Sequence, residues 1–187
     1  MEAIVPAFLL AVLSQLGERP ALLTAILADR FGRPLTVAVA AGLAHAAGNG
    51  LAAIAGVAMA PILTPNAQAL LLAVALVTGG VSALWRVKPP ARLEGWRFGA
   101  LLTPLLGVFV VALGGGTQFF TLALATRGEP WFAAAGATIG TLAVAFVAAV
   151  LGEPGWKALP FAKIRIGIGL LFLVAGAIIG LGALRLL

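Results

Sequence analysis

The chain has 187 residues, of which 62% are hydrophobic and only 10% charged, and its mean hydropathy is +1.13. Soluble domains are about one quarter charged, so this composition excludes an ordinary soluble protein and predicts an integral membrane protein. The absence of cysteine excludes a disulfide framework and a thiolate metal site. The formal net charge of +6 arises mainly in the connections between apolar segments, which indicates membrane topology and not nucleic-acid binding.

Six apolar segments are long enough to cross a membrane as helices. We expect them at residues 3–28, 35–60, 67–86, 99–126, 131–151 and 164–185. The sequence therefore predicts an all-α membrane protein of six transmembrane helices. Its predicted units are a first three-helix repeat at 1–86, a basic cytoplasmic linker at 87–97 and a second three-helix repeat at 98–187.

Loop charge predicts the orientation of these helices. One set of connections carries nine basic residues, namely Arg30, Arg33, Arg86, Lys88, Arg92, Arg97, Lys157, Lys163 and Arg165. The other set carries only Arg127 and Arg185. Because basic loops are retained in the cytoplasm, we expect the nine basic residues on the cytoplasmic side and both termini on the opposite side. The membrane is expected to be a bacterial inner membrane.

The two halves of the chain share residues at a nearly constant offset. The offset is 97 residues and falls to 96 after the first short loop, and the matches are Leu16-Gly17 with Leu113-Gly114, Thr24 with Thr121, Arg30 with Arg127, Pro34 with Pro130 and Gly56 with Gly152. Since each half has three helices, the second must cross the membrane in the opposite sense. The sequence thus predicts two inverted repeats, an arrangement common in secondary transporters.

The first segment is interrupted by polar and helix-breaking residues near its middle. Glu18 and Arg19 place two charges there, and a charge at mid-membrane costs roughly 3 kcal/mol, so such residues usually face a protein interior or a cavity. Gln15 and Glu18 are three residues apart, which predicts that they share one helix face. Gly17 and Pro20 weaken the same turn, so we expect a kink or break.

The fourth segment has an interruption at the corresponding place, residues 114–118. Paired breaks in matching segments point to a transporter's binding site, with Thr117 and Gln118 as its polar groups in this half. The alternative is that Glu18 and Arg19 merely pair with each other while the glycines allow close helix packing.

His45 and Asn49 lie one helical turn apart near the centre of the second segment. One interpretation is a proton-accepting or ion-coordinating face beside Glu18. The other is that both residues form hydrogen bonds between helices, as polar residues in membrane bundles commonly do. The sequence alone favours the second interpretation slightly.

Six segments, a repeat, a central basic linker and the run LATRGEPWFAAAGATIG together resemble the small cation/proton exchanger family that includes Golgi calcium/manganese transporters and bacterial manganese exporters. That family has a Glu-x-Gly-Asp-(Lys/Arg)-(Thr/Ser)-Gln motif in the first helix of each half. The resemblance implies that the carboxylates of the two motifs form a cation site.

The first copy of the motif is altered in this chain. Gln15 stands where the family has glutamate, Glu18 stands for the aspartate and Arg19 keeps the base, while Pro20 and Ala21 replace the hydroxyl residue and the glutamine. Glu18 is the one acid that the two copies retain between them.

The second copy keeps Gly114, Thr117 and Gln118 but has lost its acids and its base, whose places are taken by Ala112, Gly115 and Gly116. Calcium takes six to eight oxygen ligands, usually with several carboxylates, and manganese is also an oxygen-seeking ion. We therefore expect no tight divalent site. This leaves weak or monovalent-coupled transport, a different substrate, or a degenerate paralogue.

The resemblance favours a secondary transporter that exchanges a manganese- or calcium-like cation for protons, with the lipid bilayer, the cation and the proton as partners and without a cofactor. The predicted site residues are Glu18 as the protonatable group and only acidic metal ligand, Gln15, Thr117 and Gln118 as neutral ligands, and Arg19, His45 and Asn49 in support. The alternatives are a non-transporting membrane partner or regulator and an exporter of a small organic solute. One intramembrane carboxylate and no nucleophile–base pair give no basis for an enzyme.

The orientation can be tested on the cysteine-free chain. An Arg92→Cys variant should react with a membrane-impermeant thiol reagent only from the cytoplasmic side, because the linker is expected there. Labelling of intact cells from outside would contradict the orientation.

Overall fold

The computed structural model describes residues 2–85 and 88–184, and these residues form helices and connections without a strand. Arg86 and Arg185, two of the predicted loop charges, lie outside the described residues. The α-helices in chain order are α1 (Ile4–Gln15), α2 (Arg19–Phe31), α3 (Pro34–Met59), α4 (Pro65–Leu84), α5 (Gly99–Ala112), α6 (Gly116–Ala125), α7 (Pro130–Ala158) and α8 (Phe161–Ala183). A single 3₁₀ turn, Ala60–Ile62, follows α3.

Four helices, α3, α4, α7 and α8, are each long and apolar enough to cross a membrane. The pairs α1/α2 and α5/α6 pass the same test together, but they bend by 68° and 70° at short breaks. Counting each bent pair as one span gives six, in agreement with the six apolar segments. Both predicted helix breaks are thereby confirmed.

The two breaks have the same backbone conformation, residue by residue. Gly17 has φ +76° and Gly114 has φ +74°, a region that only glycine enters freely. The next residues, Glu18 and Gly115, are extended, with ψ 163° and 171°. Each donates its backbone N–H to the carbonyl three residues earlier, on Gln15 or Ala112. The sequence offset of 97 residues thus corresponds to repeated local structure at both breaks.

The first break changes one expectation about the site. Pro20 has no N–H to donate back along the chain, so it is favoured in the first turn of a helix, and α2 begins at Arg19. Gln15 ends α1 and Glu18 is the N-cap of α2, so the prediction that they share one helix face is wrong. They belong to two helices that diverge at the break.

The predicted helix boundaries agree within three residues except at the end of the fifth segment, which was expected at residue 151. There the chain kinks at Gly152 (φ 66°, ψ −179°) and continues as helix to Ala158. Asp29 of α2 accepts a hydrogen bond from the backbone N–H of Glu153 at 2.7 Å. This bond satisfies a donor that the kink frees, so helical structure resumes beyond Gly152.

The helices α3 and α7 form the centre of the bundle and pack against each other. Of their most apolar stretches, 61% and 50% of residues are buried, against 28% in α4 and in α8, which pair with each other at the side. Small residues make this close packing feasible. A Cβ on Gly140 of α7 would lie only 2.7 Å from the backbone oxygen of Phe8 in α1.

The linker is attached to one end of the bundle through its backbone. Arg30, at the end of α2, donates to the carbonyls of Leu93 at 2.6 Å and Trp96 at 2.9 Å. Arg92 pairs with Glu153 at 2.6 Å. The ends of α2 and α7 and the central linker therefore lie together. This agrees with the expectation that Arg30 and Arg92 are on the same side of the membrane.

The packing of α1 on α7 makes a stability prediction. Gly140→Ala should destabilise the folded protein by about 1–3 kcal/mol, because the new methyl group would overlap the Phe8 carbonyl. Thermal unfolding in detergent would measure the change. Gly50→Ala is the control, since a Cβ there meets nothing within 4 Å and should cause no loss. Equal loss in both variants would contradict the close contact.

The cavity between the two helix breaks

A cavity of about 270 Å³ lies where the two bent helix pairs meet. Both breaks line it, residues 13–16 and 18–20 from the first and 114–118 from the second. The remaining walls come from α4, α5 and α8, including Ser82, Ala83 and Arg165. The four residues predicted to bind the ion or proton, Gln15, Glu18, Thr117 and Gln118, therefore line a single cavity, and so does the predicted supporting residue Arg19.

Thr117 joins the two breaks by hydrogen bonds. Its hydroxyl lies 2.9 Å from the Ser14 hydroxyl, and the Gln15 side-chain amide donates to it at 3.1 Å. The Thr117 carbonyl also accepts from Thr121 at 2.9 Å, one turn further along α6. Because Thr117 and Gln15 are 3% and 5% exposed, these bonds are shielded from competing solvent. Ser14 belongs to this group but was not among the predicted ligands.

Gln118 lies against α3. A Cβ on Gly48 of α3 would be 2.9 Å from the Gln118 side-chain nitrogen, so a larger residue would displace that amide. Gln118 is 8% exposed and contributes to the cavity wall. The glycine on the neighbouring helix therefore makes room for this amide beside the second break.

Glu18 pairs with Arg165 and not with Arg19. The Arg165 Nη1 atom lies 3.2 Å from Glu18 Oε1. Arg19 instead donates its Nε–H to the backbone oxygen of Lys88 at the surface. The alternative in which Glu18 and Arg19 simply neutralise each other is therefore wrong.

Arg165 was expected among the loop charges, but it lies in the second turn of α8 and is 8% exposed. Its guanidinium donates to the backbone oxygens of Gly17, Ser82, Ala83 and Trp85 at 2.9–3.1 Å. Loop-charge counting could not locate it, because it lies near a helix boundary where the sequence reads equally as a loop end or as a first helical turn. In the sequence, only the uninterrupted apolar run that follows Arg165 indicates that this residue belongs to the helix.

The cavity continues toward the linker. A wider recess of about 720 Å³ shares Glu18, Arg19 and Ser82 with the cavity and reaches Trp85 and Lys88. Glu18 is accordingly the most accessible of the four predicted lining residues, with a side chain 31% exposed. The carboxylate thus faces both the cavity and this recess.

His45 and Asn49 are buried but are not among the residues lining the cavity. Asn49 donates to Thr138 of α7 at 3.2 Å and accepts from Thr121 of α6 at 3.4 Å. It therefore forms interhelical hydrogen bonds, as the second interpretation predicted. His45 is 2% exposed, and its Nδ1 has no hydrogen-bond partner.

The charges around the cavity are two guanidinium groups, of Arg19 and Arg165, and one carboxylate, of Glu18. Within residues 2–85 and 88–184, no three His, Cys, Asp or Glu side chains form a group that could hold a metal ion. The neutral side-chain oxygens on the cavity walls that could bind a cation belong to the amides and hydroxyls of Ser14, Gln15, Ser82, Thr117 and Gln118.

The model of the divalent cation/proton antiporter GDT1 family matches residues 3–90 and 100–185. The chain belongs to this family. It is also 28% identical over 171 residues to a Vibrio cholerae serotype O1 protein that is named as a proposed manganese exporter, an alignment covering 87% of this chain and 83% of that protein. No solved structure matches the chain.

Membership in the GDT1 family assigns the chain to multi-pass membrane transporters that exchange cations for protons and not to a class of enzymes. The resemblance drawn from the two motifs is therefore confirmed. Within this GDT1-family protein, the two altered motifs coincide with the two helix breaks, and both line the cavity.

The bonds to Thr117 predict an energetic link between the two breaks. Thr117→Val should lower stability by about 0.5–1.5 kcal/mol, because it removes the acceptor of Gln15 while keeping the side-chain shape. Combining it with Gln15→Ala should cost less than the sum of the single changes. Thr78→Val is the control, since the Thr78 hydroxyl bonds only carbonyls of its own helix. Strict additivity in detergent unfolding would contradict the link.

Proposed function

We propose that this GDT1-family protein exchanges a cation for protons at the cavity between its two helix breaks, with Glu18 as the group that takes both. The observation that carries the proposal is the position of Glu18. Among the described residues it is the only acidic side chain on the cavity wall, and it also lines the recess near the linker. A carboxylate that alternates between a proton and a cation couples the two fluxes, because it cannot hold both at once.

Neutral oxygens complete the proposed site. Gln15, Thr117 and Gln118 line the same cavity, and their side-chain oxygens can replace part of a cation's hydration shell. A single carboxylate provides less charge than the several that tight divalent sites use, so we propose a weak, degenerate site. The name of the Vibrio cholerae relative makes manganese the first cargo to test, with calcium next.

We propose further that residues 1–86 and 98–187 are inverted three-helix repeats joined by the linker at 87–97. The family model matches two stretches, residues 3–90 and 100–185, which supports this division. The similar φ angles of Gly17 and Gly114 support it as well. In inverted-repeat transporters, rocking of one repeat against the other exposes a central site to each side in turn. The cavity is lined by residues of both proposed repeats, which supports a shared site between them.

The proposed orientation places the linker in the cytoplasm and both termini outside it, in a bacterial inner membrane. It rests on the nine-to-two division of basic residues between the two sets of segment ends, in which Arg165 is counted although it is buried in α8. Contacts of Arg30 with the linker backbone and of Arg92 with Glu153 support the grouping of these charges at one end. With this orientation, the recess beside Glu18 would open toward the cytoplasm.

A second candidate is a non-transporting membrane partner or regulator of a true exchanger. The pairing of Glu18 with Arg165 favours it, because the single acid of the cavity already has a counter-ion. This candidate predicts no flux for any ion, and it predicts that loss of the Glu18 charge affects stability or partner binding only.

Transport by purified protein in proteoliposomes separates the two candidates. Wild type should transport Mn²⁺ in exchange for protons when a proton gradient is imposed across the membrane. Glu18→Gln should reduce the Mn²⁺ transport rate at least about tenfold, because an amide neither ionises nor neutralises a cation. Glu94→Gln is the matched control, since Glu94 lies on the exposed linker and should transport like wild type.

Equal rates for wild type and Glu18→Gln would remove Glu18 from the mechanism. Absence of flux for Mn²⁺, Ca²⁺ and monovalent cations, in protein that is folded and correctly inserted, would favour the regulatory candidate instead.

A further inference from the structure

The guanidinium of Arg165 is enclosed by oxygen atoms. Four backbone carbonyl oxygens accept its hydrogen bonds, one from Nε, one from Nη1 and two from Nη2. A guanidinium has five N–H groups, so one on Nη1 remains, and Nη1 lies 3.2 Å from Glu18 Oε1. Four of its five N–H groups thus donate to carbonyl oxygens, and Nη1 also lies within ion-pair distance of the Glu18 carboxylate.

These oxygens come from places where a positive charge is favoured. Three of the carbonyls, on Ser82, Ala83 and Trp85, belong to the end of α4, where helix carbonyls carry partial negative charge; that of Ser82 also accepts the backbone N–H of Trp85. The fourth is that of Gly17 in the first break, next to the Glu18 carboxylate.

Carbonyl and carboxylate oxygens are also the ligands that hard cations such as Ca²⁺ and Mn²⁺ take. The shell around Arg165 thus has the chemistry of a cation site, although backbone carbonyls supply most of its oxygens. Glu18, Ser82, Ala83 and Arg165 all line the cavity, so a cargo ion in the cavity has direct access to this shell.

The shell cannot serve two cations at once. Arg165 remains charged at every physiological pH, and it already compensates the one carboxylate on the cavity wall. A cargo cation approaching Glu18 would meet a like charge a few ångströms away in a largely desolvated site, where repulsion is poorly screened.

We propose that Arg165 is a tethered competitor of the cargo cation and determines how weakly the site binds it. The guanidinium occupies the cation position at Glu18 in the structure described here. Cargo binds there only when Arg165 withdraws, so the free energy of breaking the Arg165 contacts is subtracted from the affinity for the ion. This inference rests on the proposed role of Glu18 in cation exchange.

The test is Mn²⁺ binding to the full chain purified in detergent, followed by electron paramagnetic resonance of the free ion. Arg165→Gln removes the positive charge and keeps a side-chain amide that can still donate to a carbonyl. It should bind Mn²⁺ at least about tenfold more tightly than wild type, because the like charge is gone and Glu18 is unpaired.

Two matched variants show that the gain arises at this pair. Arg165→Lys keeps the charge but can make fewer of the carbonyl contacts, so its affinity should lie between those of wild type and Arg165→Gln. Adding Glu18→Gln to Arg165→Gln should abolish the gain, because no carboxylate is left to receive the ion. A gain that persists without Glu18 would place the ion elsewhere and overturn the proposal.

Loss of the Arg165 hydrogen bonds could prevent Arg165→Gln from folding, so a second variant weakens the pair from the other side. Glu18→Asp keeps both charges and all four carbonyl bonds but shortens the carboxylate by one methylene. It should bind Mn²⁺ more tightly than wild type and less tightly than Arg165→Gln. If Arg165→Gln is not monodisperse, unchanged affinity in Glu18→Asp overturns the proposal.

The outcomes also separate this inference from the proposed function. If Glu18→Gln alone leaves Mn²⁺ binding and transport at wild-type levels, the role of Glu18 fails and the competitor fails with it. If Glu18→Gln abolishes binding while folded Arg165→Gln binds no more tightly than wild type, only the competitor is overturned.

Discussion

Within a membrane, every backbone donor and acceptor that a broken helix frees must find a partner in the protein, because lipid offers none. Two spans of this chain are broken near their middles, at Gly17 and at Gly114. At the first break the guanidinium of Arg165 reaches the freed Gly17 carbonyl and the open end of α4 together. This one side chain links α8, α4 and the first break, and it forms part of the cavity wall.

The two breaks have the same backbone but different chemistry. The first presents a carboxylate at Glu18, while the extended residue at the same place in the second is Gly115, which has no side chain. Thr117 and its hydrogen bonds to Ser14 and Gln15 connect the two. Similar backbone at the two breaks thus lines an asymmetric cavity, in which the first break carries charged side chains and the second only neutral ones.

The breaks could be predicted because their causes are local. Gly17 with Pro20 in the first segment and three successive glycines in the fourth weaken the helix locally, and the repeated sequence marks both places. The continuation of α7 past Gly152 could not be predicted in this way. It depends on Asp29, more than 100 residues earlier, which accepts the N–H of Glu153. The expected shared face of Gln15 and Glu18 failed because a break redirects the chain between them.

Hydropathy, loop charge and the internal repeat by themselves determined the number of apolar segments, the places where two of them break, and the family to which the chain is similar. These features depend on residues that are neighbours in the chain. Only the tertiary structure decided that Arg165 is buried beside Glu18, that Thr117 bonds Gln15, and that His45 and Asn49 lie away from the cavity wall. Ion pairing and hydrogen bonding act over a few ångströms, and helix packing alone determines which distant residues come that close.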